Sequence, residues 1–217
     1  PAAKFPKIEK TTLSNGLKLI LAERHSIPYV EMSLIVDAGY AADQFALSGT
    51  ASLAMQMLDE GTEKRSSLEI SEQLALLGAE LQTGSGLDFS YVNLGVLKDK
   101  LSPALDIYSD LILHPSFPQA DFERIKKIQL ARIQQEKFSP VGLAIRVLPG
   151  LIYGENHAYG QPLTGSGYEA TVSQIKRDDL VKYHQTWFKP NHSTLIIVGD
   201  VTMMDIKPEI EKIFKSW

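Results

Sequence analysis

The five histidines, His25, His114, His157, His184 and His192, are the first candidates for metal or acid–base chemistry. Two imidazoles share one helix face, and so one metal, when they stand three or four residues apart. No two of these five have that spacing. His184 lies among Leu180, Val181, Trp187 and Phe188 and reads as a core histidine. His157 falls in a glycine-bearing stretch and reads as a surface residue, while His25, His114 and His192 stand at turn edges. The absence of cysteine removes disulfides, thiolate ligands and thiol nucleophiles. Ser85 is flanked by Gly84 and Gly86, yet a nucleophilic serine needs a strand–elbow–helix setting, and strand-like sequence follows it here. Asp59 and Glu60 are adjacent, so a helix would point them to different faces and they form no acid–base pair. Arg124, Lys126, Lys127, Arg132 and Lys137 read as the solvated face of a helix.

The elements that would position these residues can be read from periodicity. Asn15-Gly16 between two apolar runs is a strong hairpin signal, and strands are expected over residues 17–22 and 29–38. Residues 45–60 are apolar nearly all round and predict one long buried helix. A helix over 68–77 is expected to be capped by Ser66 or Ser67 and stopped by Gly78. Strands at 81–85 and 88–97 precede three helices at 102–113, 119–137 and 141–151, with Pro103, Pro118 and Pro140 near their starts. Residues 153–168 are rich in Gly, Pro, Asn and Ser and read as an irregular surface loop. A helix over 177–188, a strand over 194–198 and a last helix with Ile206, Ile210, Ile213, Phe214 and Trp217 on one stripe complete the chain. Pro208 places the regular part of that last helix near itself.

This order predicts one α+β domain over residues 1–217, a mostly antiparallel sheet with helices packed against it. At 44% hydrophobic and 22% charged, the 217 residues hold enough apolar mass for a core, which excludes disorder. A net charge of −4 argues against nucleic acid as a partner, and no run approaches the ~20 apolar residues of a membrane span. No glycine-rich phosphate loop is present. The opening Pro1-Ala2-Ala3 carries no leader, so the chain is expected to be a piece of something longer.

Four stretches, in order, carry a family resemblance. Leu13-Ser14-Asn15-Gly16-Leu17 resembles an opening LxNGL hairpin, and residues 39–62 resemble an active-site helix region that ends in Gly-Thr. Gly160-Gln161-Pro162-Leu163-Thr164-Gly165 resembles a GrPilG loop. Trp187-Phe188-Lys189-Pro190-Asn191 followed by Leu195-Ile196-Ile197-Val198-Gly199-Asp200 resembles a wYrPdN…vvvGdv ending. Together these resemble the pitrilysin/insulinase family of zinc metallopeptidases, the inverzincins. The Phe5-Pro6 opening is most similar to the start of the second half of long bacterial members.

The resemblance implies homologous domains paired around an enclosed peptide, with zinc held by H-x-x-E-H on a buried helix and a glutamate on a later helix. Aligned with that motif, Ser52 and Gln56 stand where the histidines belong and Met55 where the catalytic glutamate belongs. Ala131 or Arg132 takes the third-ligand place, with Glu136 a turn beyond. The implied role is a domain without zinc or catalytic residues of its own, forming part of the chamber and supporting proteolysis by a zinc-bearing domain elsewhere. The alternative is a purely structural or interaction subunit with no associated peptidase activity. Gln82, Thr83, Gly84 and Ser85 align with the strand that pairs with substrate backbone, a mode needing no catalytic residue. The implied partners are a homologous peptidase domain and a peptide or unfolded-protein substrate. Self-pairing of the fragment is expected through the 82–85 edge or the terminal helix with Phe214 and Trp217. The resemblance also implies a bacterial periplasmic location.

Overall fold

The computed structural model describes residues 6–217, so Phe5 of the Phe5-Pro6 opening lies outside the described residues. Among these described residues, six strands form one sheet: β1 (Ile8–Thr12), β2 (Lys18–Glu23), β3 (Tyr29–Val36), β4 (Glu80–Ser85), β5 (Ser90–Leu97) and β6 (Ser193–Gly199). Their order is β1-β2-β6-β3-β5-β4, antiparallel throughout except for the parallel β2–β6 pair. The α+β expectation therefore holds, and β4 is an edge strand. The Asn15-Gly16 hairpin forms as read: Asn15 Oδ1 accepts from the Leu17 N–H at 3.1 Å, while its Nδ2 donates to the Phe214 carbonyl at 2.9 Å. One turn thus fixes both the β1–β2 register and the seat of the C-terminal helix.

Alternation along the strands gives the sheet two unlike faces. Val30, Met32, Leu34 and Val36 of β3 are fully buried, as are Val92, Leu94 and Val96 of β5 and Leu195 and Ile197 of β6. Glu31, Ser33, Asn93, Thr194 and Val198 point the other way and are exposed or half-buried. Among the described residues, eight α-helices accompany the sheet: α1 (Thr50–Gln56), α2 (Ser67–Leu77), α3 (Leu101–Leu113), α4 (Gln119–Phe138), α5 (Pro140–Tyr153), α6 (Glu169–Gln174), α7 (Arg177–Trp187) and α8 (Met203–Ile213). From α3, the buried Tyr108 hydroxyl accepts from the Leu34 N–H at 3.1 Å and donates to the Val92 carbonyl at 2.8 Å, stitching helix to sheet. The cap of α2 is Ser66, in a reciprocal capping box with Glu69.

Four sequence expectations need correction. The helix read over 45–60 begins only at Thr50; a 3₁₀ turn over Tyr40–Phe45 precedes it, and Phe45 is 75% exposed. Apolar residues on every side carry no phase, so the pattern could not locate that break. The 153–168 stretch is not a surface loop throughout: α5 runs to Tyr153, and Gly160 and Ser166 are buried. The short α6 lies in sequence assigned to no element. Pro208 sits inside α8, which starts at Met203 because Thr202 caps it by accepting from the Asp205 N–H.

Candidate functional site

The site begins at the entry to α1. Gly49 precedes the helix with φ of 102°, and a Cβ there would approach Val172 Cγ2 to 2.7 Å, so only glycine fits. The carboxyl of Asp43, 2% exposed, accepts from the N–H groups of Gly49 at 2.8 Å and Ala51 at 3.0 Å and so caps a helix that lacks its own side-chain cap. Burial nevertheless pushes the Asp43 carboxyl up to about 7, against the lowering effect of those donors.

From this anchor α1 presents Ser52 and Gln56 to one side and Met55 to another. The Ser52 hydroxyl donates to the Gly165 carbonyl at 2.7 Å. Gln56 Nε2 donates to the Ser52 carbonyl at 3.1 Å and to Gln129 Oε1 at 3.0 Å. Gln129, on α4 and 1% exposed, donates in turn to the carbonyls of Gly49 at 3.2 Å and Ser166 at 2.8 Å. Met55 is 1% exposed within the core, and its carbonyl accepts from the Thr83 hydroxyl of β4 at 2.8 Å. The α4 residue that meets Gln56 is therefore Gln129. Ala131 and Arg132 face outward, with Arg132 bonded to Glu136 Oε1 at 3.0 Å and to the Thr164 carbonyl at 3.4 Å. The signal for Gln129 was in the sequence: it shares a helical stripe with Phe122, Ile125 and Ile133, all buried.

A second buried layer holds the 160–168 segment against α1. Arg146 of α5 donates to Glu136 Oε2 at 2.6 Å, to the Ser166 hydroxyl at 2.7 Å and to the Gly167 carbonyl at 2.6 Å. Thr164 and Ser166 also donate to Glu136 Oε2, at 3.1 and 2.8 Å. Burial would raise the Glu136 carboxyl, but the hydrogen bonds from Ser166, Arg146 and Thr164 outweigh it and hold the group below its usual range. Gly165 closes the contact: a Cβ there would sit 2.9 Å from Ser52 Oγ. Ser48 Oγ also donates to Gln161 Oε1.

This constellation offers hydroxyl and carboxamide groups whose hydrogen-bonding capacity is directed at one another and at backbone. Zinc requires thiolate, imidazole or carboxylate donors, and Ser52, Met55, Gln56 and Gln129 supply none. The residues present do not fit that metal. The Ser52 hydroxyl directs its proton to the Gly165 carbonyl oxygen rather than to a basic side chain. Elsewhere, His184 donates from Nε2 to the Ile112 carbonyl at 2.8 Å, and burial lowers its pKa. Ser85 lies on β4 between Gly84 and Gly86, hydrogen-bonded to Ser90 Oγ at 3.2 Å. Gln82, Thr83, Gly84 and Ser85 thus share one sheet edge, which Thr83 ties to α1.

Comparison with known proteins gives a consistent picture. Residues 18–159 match the family described as Insulinase (Peptidase family M16), and residues 174–217 match the Peptidase M16 inactive domain. The chain is 23% identical to the uncharacterized zinc protease YmxG of Bacillus subtilis over 97% of its own length and 50% of the relative's. It is 26% identical to the mitochondrial-processing peptidase subunit beta of Rattus norvegicus, covering 90% of this chain and 39% of that one. A crystal structure of a peptidase M16 inactive domain from Pseudomonas fluorescens superposes with a TM-score of 0.91 at 25% identity, covering 97% of this chain and 50% of that chain. The periplasmic protease PqqL of Escherichia coli shares the fold, with a TM-score of 0.82 at 18% identity over 98% of this chain and 24% of that one. The chain spans half or less of the length of these proteins. It belongs to the insulinase family of peptidases, M16, in which it is similar to an inactive domain.

Proposed function

We propose that this chain is a non-catalytic wall of a peptide-enclosing chamber, supporting hydrolysis by a zinc-bearing domain on the same polypeptide or on a partner subunit. One observation carries the reading: the positions aligned with the family's zinc motif are filled by Ser52, Met55 and Gln56, and Gln129 ties Gln56 back to the Gly49 and Ser166 carbonyls. Two features support a role in peptide contact. β4 is an edge strand, so an extended peptide can add to it through main-chain hydrogen bonds. The sheet also keeps one partly open face, carrying Glu31, Ser33, Asn93 and Thr194. The periplasmic location belongs to the same proposal and is supported by the description of PqqL alone.

Hydrogen exchange of the chain with and without an excess of an unstructured peptide tests the reading. The amides of β4 should gain protection while the peptide stays intact, with or without added zinc. Peptide cleavage by the purified chain, or unchanged exchange along β4, would refute it.

A further inference from the structure

Asn15-Gly16 is a chemically reactive pair held in an unreactive geometry. An asparagine followed by glycine is open to self-deamidation, because no Cβ hinders the glycine nitrogen from attacking the asparagine Cγ. Of the four asparagines, Asn15, Asn93, Asn156 and Asn191, Asn15 alone precedes a glycine. In the fold, each group that must move for that attack is held. The Gly16 N–H donates to the Leu13 carbonyl at 3.0 Å. Asn15 Oδ1 accepts from the Leu17 N–H at 3.1 Å, and Nδ2 donates to the Phe214 carbonyl at 2.9 Å. Phe214 is the C-cap of α8, so that carbonyl is one the helix itself leaves without a partner. Ser14 is tied to the same helix, its N–H donating to Glu211 Oε1 at 3.1 Å and its hydroxyl to Oε2 at 2.7 Å. Gly16, at φ of 94°, is required by the turn, and the two Asn15 bonds require a carboxamide. The reactive pair is therefore built into the hairpin.

We propose that Asn15-Gly16 is a self-modification site that α8 holds closed, and that its conversion unseats the end of α8. When the last turn of α8 lifts, the Gly16 nitrogen gives its proton to solvent and attacks Asn15 Cγ. The N–Cγ bond forms, the Cγ–Nδ2 bond breaks, and ammonia leaves behind a succinimide ring. Water then opens the ring at Cγ to give aspartate, or at the main-chain carbonyl to give isoaspartate. One water is consumed, one ammonia is released and nothing is oxidised or reduced. Either product has lost the Nδ2 donor and gained a carboxylate. That charge stands against the Phe214 carbonyl, the negative end of α8 and the Glu211 carboxylate, all of which repel it. Isoaspartate also adds a carbon to the main chain of the turn that sets the β1–β2 register. The terminal helix expected from sequence to pair copies is thus engaged with its own hairpin: Phe214 is fully buried, and Trp217 donates from Nε1 to the Phe188 carbonyl at 3.0 Å. The proposal does not depend on the chamber reading.

Peptide mapping by mass spectrometry of the 217-residue chain, incubated at pH 8 with and without urea, tests it. Asn15 should convert at least about tenfold faster in urea than in the folded chain, because folding holds both reacting groups. Asn156, followed by His157, should differ little between the two. Glu211→Ala frees Ser14 without touching the core, and should speed Asn15 conversion in the folded chain by about threefold or more. Hydrogen exchange supplies the second half of the test. In Asn15→Asp the amides at the end of α8 should exchange at least about tenfold faster, while those of β3 and β5 keep their protection. Conversion as fast in the folded chain as in urea would overturn the proposal. So would a Glu211→Ala chain that converts no faster than the parent, or unchanged α8 exchange in Asn15→Asp.

Discussion

Gln56 and Gln129 are joined amide to amide at 3.0 Å across the gap between α1 and α4, and the free nitrogen of Gln129 is spent on two backbone carbonyls. Gln56 stands where the family resemblance places a zinc-ligating histidine, and with Gln129 it works as a cross-brace. A buried carboxamide stabilises only when its donors and acceptor are matched, and those of Gln129 are.

The brace predicts a large cost for a small change. Gln129→Ala would leave the Gly49 and Ser166 carbonyls and the Gln56 amide short of a partner inside the protein and open a cavity. The expected loss is about 2–4 kcal/mol in urea unfolding. A loss below about 0.5 kcal/mol, the usual range for surface changes, would contradict the role assigned to Gln129.

Met55 gives a charge test of the same helix. At 1% exposure, a glutamate there would be shut off from water and resist ionisation. Met55→Glu should lose roughly 3 kcal/mol or more at pH 8. The loss should shrink on acidification, since the folded state holds the added carboxyl protonated to higher pH than the unfolded state does. Met55→Leu conserves volume and should cost less than about 1.5 kcal/mol. An equal loss relative to the parent at pH 5 and pH 8 would count against the burial.

Asp43 and His184 set opposite pH slopes. Burial raises Asp43 from its ordinary 3.8 to about 7, so between those values the folded chain binds the extra proton. Its contribution is fully present below about pH 4 and is lost as pH rises through about 7. Burial lowers His184 from its ordinary 6.5; its contribution is present above that value and is lost as pH falls through the lower, folded one. Melting temperatures from pH 5 to 8.5 should therefore fall less steeply on the alkaline side in Asp43→Asn than in the parent. The exposed His25, raised by its hydrogen bonds to Asp200 and Glu23, is common to both proteins and drops out of that difference. Identical alkaline slopes would contradict a protonated Asp43.

Local signals in the sequence had local causes, and those were legible. Asn15-Gly16 fixed a turn, Ser66 or Ser67 and Gly78 bounded α2, and strands were read over the stretches that form β3 and β5. The parallel pairing of β2 with β6 was not, because it joins residues about 175 positions apart and no local pattern encodes it. In the candidate site, Ser52, Met55 and Gln56 were found through the family motif, while Arg146 was missed. A single arginine in an apolar helix reads as marking the solvent side. Here Glu136 and Ser166 draw it inward, and that inversion exists only once α4 and the 160–168 segment are in place.

The central claim is that the Ser52–Met55–Gln56 site is a structural brace in a non-catalytic domain, and zinc content measures it most directly. After exposure to a slight excess of zinc and exhaustive dialysis, elemental analysis should find well under one zinc per chain, with no difference between the parent and Gln56→Ala. One tightly held zinc per chain that disappears in Gln56→Ala would place metal at this site and contradict the account.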